Sequence, residues 1–139
     1  MKDTEPQVLV VPCSGIGKVH GLISREAVYE VTDKRMPGRA ETVCLALLVT
    51  GDDLAQQQVR THPCIAVDGC PKLCAKKNIE LSEGNVAVSI RVHDTLKKYR
   101  GAQFGSATQL SEAGWAATSD IAAEIAEAAE RLTAAKTEA

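Results

Sequence analysis

Apolar positions along the chain fall into two kinds of pattern. Val8 to Val11 is a short continuous apolar run, the signature of a strand buried on both faces. Cys64-Ile65-Ala66-Val67 is a second such run. Val86, Val88, Ile90 and Val92 alternate with Ala87, Ser89 and Arg91, which predicts a half-buried strand at a sheet edge. Helical spacing appears at Val19, Leu22, Ile23, Ala27 and Val31, and Met36-Pro37-Gly38 ends that element. Asp52 or Asp53 is placed to cap a short helix through Arg60. Pro71 suits the first position of a helix running to about Leu81. Ile121, Ile125, Ala128 and Leu132 share one face of a long last helix, with Glu124, Glu127, Glu130 and Arg131 outside. That helix is expected to pack on the sheet, with partner binding as the other reading. His93 to Gly114 has no clear pattern, and Lys97 to Gly101 reads as a turn or loop.

Alternation of strand-like and helix-like segments predicts an α/β domain. It is expected to be small and three-layered, with a mostly parallel sheet of about four strands and flanking helices. At 139 residues it is one domain, with an ordered core over about 7–133 and no internal repeat. A chain of this size buries enough surface to fold without a staple.

The segment Glu41 to Thr50 admits two strand readings. A strand over all of Val43 to Val49 puts Cys44 at its start. A shorter strand, about Glu41 to Leu45 with a turn through Ala46 to Asp52, puts Cys44 at its end. The second is adopted, because it brings Cys44 to the edge where Cys13 leaves the first strand.

Composition narrows the function classes. Lys plus Arg total 16 against 18 Asp plus Glu, a net charge of −2, without the basic excess of a phosphate-backbone binder. The aromatics are Trp115, Tyr29, Tyr99 and Phe104 only, too few for a base-stacking platform. No nucleic-acid partner is expected. The apolar run Val43 to Val49 is seven residues long, short of a membrane span, and the N-terminus lacks the long apolar stretch of a secretory signal. The expected location is cytoplasmic, with no membrane partner. In that reducing compartment the five cysteines point to metal, redox chemistry or burial rather than a disulfide framework.

In open α/β sheets ligands bind outside the carboxyl ends of the strands. Cys13 lies just past the first strand, Cys70 just past the third, and Cys74 four residues further on. Residues at i and i+4 share a helix face with Cβ atoms ~5–6 Å apart, close enough for two thiolates on one zinc. A helix N-terminus favours the thiolate form that metals bind. Cys64 begins the strand that Cys70 follows, and an extended path of six residues spans roughly 20 Å. It is read as a buried small hydrophobe. The alternative for the other four is that they are separate core cysteines.

Pro12-Cys13-Ser14-Gly15, Cys44-Leu45-Ala46, Val67-Asp68-Gly69-Cys70-Pro71 and Cys74-Ala75-Lys76-Lys77 resemble the Asp-Gly-Cys (DGC) domain family of small zinc-binding proteins. The resemblance covers about Gln7 to Val92. It implies a zinc ion held by Cys13, Cys44, Cys70 and Cys74, the same four that the edge argument selects, and no established reaction. In place of a glycine-rich stretch after the second cysteine, this chain has Leu45-Ala46-Leu47-Leu48-Val49.

The remaining candidates are weaker. His20 follows the first loop, as a ligand replacing Cys44, an acid/base group or a surface histidine. His62 and His93 have no partner by spacing and are read as structural. Gly15-Ile16-Gly17-Lys18 lacks the spacing of a phosphate loop, and its amides are expected to hydrogen-bond cysteine sulfurs instead. Asp68 is read as a cap, with catalytic base as the lesser reading. Lys34-Arg35, Lys76-Lys77 and Lys97-Lys98 are solvated surface or anion sites. Three functions compete. One is a zinc protein that presents a surface to a protein or small-molecule partner. Another is a redox protein using an iron–sulfur cluster or a dithiol. The last is an interaction module associating through its last helix.

Overall fold

The computed structural model describes residues 8–12, 19–69, 72–99, 101–106 and 108–138, with side chains to residue 133. The first apolar run forms β1 (Val8–Pro12). Helix α1 (Val19–Glu30) follows and runs into a π-helical turn over Val31–Arg35. Strand β2 (Ala40–Thr42) leads to two short helices, α2 (Leu45–Val49) and α3 (Asp53–Thr61). Then come β3 (Pro63–Asp68), α4 (Cys74–Leu81) and β4 (Asn85–Arg91). Helix α5 (Val92–Leu96), a 3-10 turn over Lys97–Tyr99 and the long α6 (Glu112–Glu138) complete the chain.

The strand order is β2-β1-β3-β4, and every pairing is parallel. Parallel strands need crossovers, and the crossovers place helices on both faces. On one face Val8, Val10, Ile65, Val67 and Ile90 meet Ile23, Ala27 and Val28 of α1 and Ala117, Ile121, Ile125 and Ala129 of α6. On the other, Leu9, Val11, Cys64 and Ala66 meet Leu48 of α2, Val59 of α3 and Ile79 of α4. The three-layer expectation therefore holds, and the long last helix covers the sheet. Among the described residues no helix is long and apolar enough to cross a membrane.

Local departures have identifiable causes. Strand β2 is short and early, as the second reading has it, but it ends at Thr42 rather than about Leu45, and Cys44 lies two residues past it. The segment after it forms α2 rather than a turn, because Leu45 and Leu48 fit one buried face at helical spacing. Asp52 caps α3, its carboxylate accepting the Ala55 N–H at 3.0 Å. Lys97–Tyr99 forms a 3-10 turn in place of a plain loop. The Tyr99 hydroxyl donates to the Asp120 carboxylate, and Lys98 Nζ lies 3.2 Å from it, so this turn is fastened to α6.

Strand β4 is an edge strand, but its valines do not share one face. Val86 pairs with Cys64 while Val88 pairs with the next residue, Ile65, leaving Ala87 as a bulge. Val86 therefore turns to the α4 side, and Val88 and Ile90 to the α6 side.

The core of α6 sets the scale for stability. Ile125 is fully buried between α6 and the sheet. Ile125→Ala should lower the unfolding free energy by about 2–5 kcal/mol, read from the urea midpoint with an unchanged slope.

Candidate metal centre

The strand register aligns three strand ends. Val10 pairs with both Thr42 and Ile65, and Pro12 pairs with Val67. β1, β2 and β3 thus finish near one level, where the chain continues towards Cys13, Cys44 and Cys70. The order also reverses there. From β1 the chain moves to β2 over the α1 face, whereas from β3 it moves to β4 over the α4 face. Outward travel on one face and return on the other follow from a single crossover handedness. The crevice between the ends of β1 and β3 is a topological switch point, the usual ligand position in open α/β sheets.

Cys44 is the residue before α2, with extended backbone (φ −67°, ψ 122°) and an exposed side chain. Cys74 is the first residue of α4, half-buried against the same core that holds Leu45 and Ala75. Both cysteines stand at the carboxyl edge on the same side of the sheet. Cys13 and Cys70 lie outside the described residues, as does the 13–18 segment with its glycines and Lys18. Among the described residues, no three His, Cys, Asp or Glu side chains converge as a ligand set.

One spacing argument needs correction. Helix α4 starts at Cys74, not at Pro71, and Leu73 before it is left-handed (φ 56°, ψ 48°). The expected helix from Pro71 is thus shorter at its start, and Cys70 lies outside the described residues. The start is set from a distance by Asp68, the last residue of β3. Its Oδ1 accepts the Ala75 N–H at 2.7 Å and its Oδ2 accepts the Lys76 N–H at 3.2 Å. Asp68 thus caps the second and third residues of α4, satisfying amides that have no partner within the helix. The side chain is 0% exposed. Burial pushes its carboxyl up, against the pull of these two amides and the Lys76 charge. Asp68 is a cap, as expected from the sequence.

Gly69 has a different task. A Cβ on it would stand 2.9 Å from the His20 carbonyl oxygen and 3.1 Å from the Gly21 nitrogen. The first turn of α1 rests on this residue, so α1 and the end of β3 are pressed together at Gly69.

Cys64 sits at the opposite end of β3, 0% exposed and paired with Leu9 and Val86. Its thiol faces the carbonyl oxygens of Val59 at 3.6 Å and His62 at 3.4 Å. Burial pushes the thiol up to about 12, the reverse of what a metal-binding thiolate needs. Its reading as a small hydrophobe agrees with this placement.

Two histidine expectations resolve differently. His62 is held at the end of α3, with Nδ1 3.0 Å from the Gln58 carbonyl oxygen and from Thr61 Oγ1. His93, expected to be without a partner, has its ring centroid 6.2 Å from that of His20. No spacing in the chain signals this pair, because it depends on β4 lying beside β3.

These features define a doubly wound α/β domain with Cys44 and Cys74 at the starts of two helices on one face of its sheet. The DGC domain family model matches residues 9–116, and the chain belongs to that family. The match runs beyond the quoted motifs, into α6. No curated protein and no solved structure matches the chain.

Two outcomes follow from the site's packing. Gly69→Ala forces a Cβ against backbone and should cost about 1–3 kcal/mol, seen as a lower thermal midpoint; an unchanged midpoint would show that α1 does not rest there. In metal-stripped folded protein at pH 8, a small thiol reagent should modify Cys44 and spare Cys64, as peptide mapping of the labelled chain would report.

Proposed function

We propose that the protein is a metal-binding domain that holds one zinc ion through the thiolates of Cys13, Cys44, Cys70 and Cys74. The observation that carries this reading is the common level at which β1, β2 and β3 end, with Cys44 and Cys74 on one side of the sheet at that edge. The donor chemistry fits: four thiolates make a closed tetrahedral zinc site, and the fifth cysteine is withdrawn into the core. Family membership supports a metal-binding role.

The ion is not needed to close the core. Both sheet faces are already covered by apolar side chains. Zinc at the edge instead ties the segments after β1, β2 and β3 to the start of α4 and presents them as one surface. That surface serves a protein or small-molecule partner in the cytoplasm, where the thiols stay reduced.

The test is elemental analysis with a visible spectrum on protein purified without oxygen. Close to one zinc per chain and no colour is the expected result. Cys70→Ser should lose the metal and Cys64→Ser should keep it; equal retention in both would overturn the site. Iron with a brown absorbance would move the same thiolates to cluster chemistry.

A further inference from the structure

The carboxyl edge also gathers a second set of metal-ligating side chains. His20 is in the first turn of α1, and His93 is the second residue of α5, directly after β4. Their rings are 6.2 Å apart between centroids, at 47°. Phe104 stands edge-on to His20 at 6.4 Å, and Tyr99 edge-on to Phe104 at 6.1 Å. Two of the three histidines and two of the four aromatics in the chain therefore meet in one place.

The two histidines are held differently. The His20 backbone rests on Gly69, and its half-buried ring has Phe104 beside it. His93 is exposed. Zn–N distances of about 2.0–2.1 Å place two imidazoles on one tetrahedral ion with centroids roughly 5 Å apart. The pair therefore has to close by roughly 1 Å, within reach of a χ rotation of the exposed ring. Asp94, the neighbouring carboxylate, is engaged by Arg91 Nε at 3.1 Å and Lys97 Nζ at 3.4 Å, so water completes the coordination.

We propose that His20 and His93 form a second, exchangeable metal site for a divalent ion suited to imidazole, such as Zn²⁺, Ni²⁺ or Cu²⁺. Two protein ligands and an open coordination sphere make it weaker than a four-thiolate site. It stands beside Gly69, on which the His20 backbone lies. The inference needs only the two imidazoles and does not depend on the cysteine ligand set.

The test is equilibrium dialysis of desalted protein against micromolar zinc chloride, with bound zinc counted per chain. Wild type should take up a dialysable equivalent beyond any metal that survives desalting. His93→Gln and His20→Gln should each weaken that uptake about tenfold or more and leave the desalting-resistant metal unchanged. His62→Gln, at the end of α3, should change neither. Circular dichroism checks that the variants stay folded, and His93, being exposed, is the substitution least exposed to a folding defect. Absence of the dialysable equivalent, equal uptake by His93→Gln and wild type, or equal loss in His62→Gln would overturn the proposal. If no desalting-resistant zinc is found in any sample, the four-cysteine reading fails, while a His93-dependent equivalent still supports this site.

Discussion

Parallel pairing of β1 with both β2 and β3 is the constraint on which the rest of the structure depends. β1 is hydrogen-bonded on both edges and buried on both faces. Neighbouring parallel strands cannot be joined by a tight turn. The chain must leave each strand at the same edge and return to the opposite one through a helix. Every residue just past a strand end is thereby delivered to one edge, whatever its separation in sequence. The level alignment of Val10 with Thr42 and Ile65 then brings the ends of β1, β2 and β3 to one edge.

The Asp-Gly-Cys tripeptide acquires a physical meaning at that edge. Asp68 reaches forward to the amides of Ala75 and Lys76 and so fixes where α4 begins. Gly69 reaches sideways, by having no side chain, and lets the first turn of α1 rest on the backbone. Asp68 and Gly69 therefore fasten the end of β3 to α4 on one side and to α1 on the other. Leu73 bears part of the cost: a bulky side chain in the left-handed region is strained by about 1–3 kcal/mol. The Asp68 cap and the packing of Ala75 and Ile79 hold it there.

Features set by local pattern were legible in the sequence, and features set by distant contacts were not. The runs at Val8 and Cys64 are short, rich in β-branched residues and followed by turn residues, and both form strands, whereas the leucine-rich run at Leu45 forms a helix. The face of Ile121 and Ile125 is long enough to declare its own period. Cys64 was separable from the other cysteines by its place at the start of a strand. The beginning of α4 was misplaced, since Pro71 is a good local start but the cap that decides the matter is a strand residue. The bulge at Ala87 was invisible because strict alternation continues through it. The meeting of His20 and His93 follows from strand order, which no spacing encodes. Cys44 was placed at a strand end only by favouring a short β2, and the helical Leu45–Val49 segment then supplied the buried face that seats it.

Stability and site are built from separate parts of this molecule. The two cores lie on the faces of the sheet and draw on valine, leucine, isoleucine and alanine. Among the described residues, His20, Cys44, Cys74 and His93 stand near the starts of helices at the carboxyl edge. A domain whose core closes without them is free to bind and release an ion there without unfolding. In small metal-nucleated domains the binding energy is the folding energy, and release is denaturation. The proposed thiolate set and the proposed imidazole pair differ in softness and in openness, and the His20 backbone packs on Gly69. On the proposed reading, such an edge would handle metal as well as be held by it, because its ligands could exchange while the sheet beneath stays fixed.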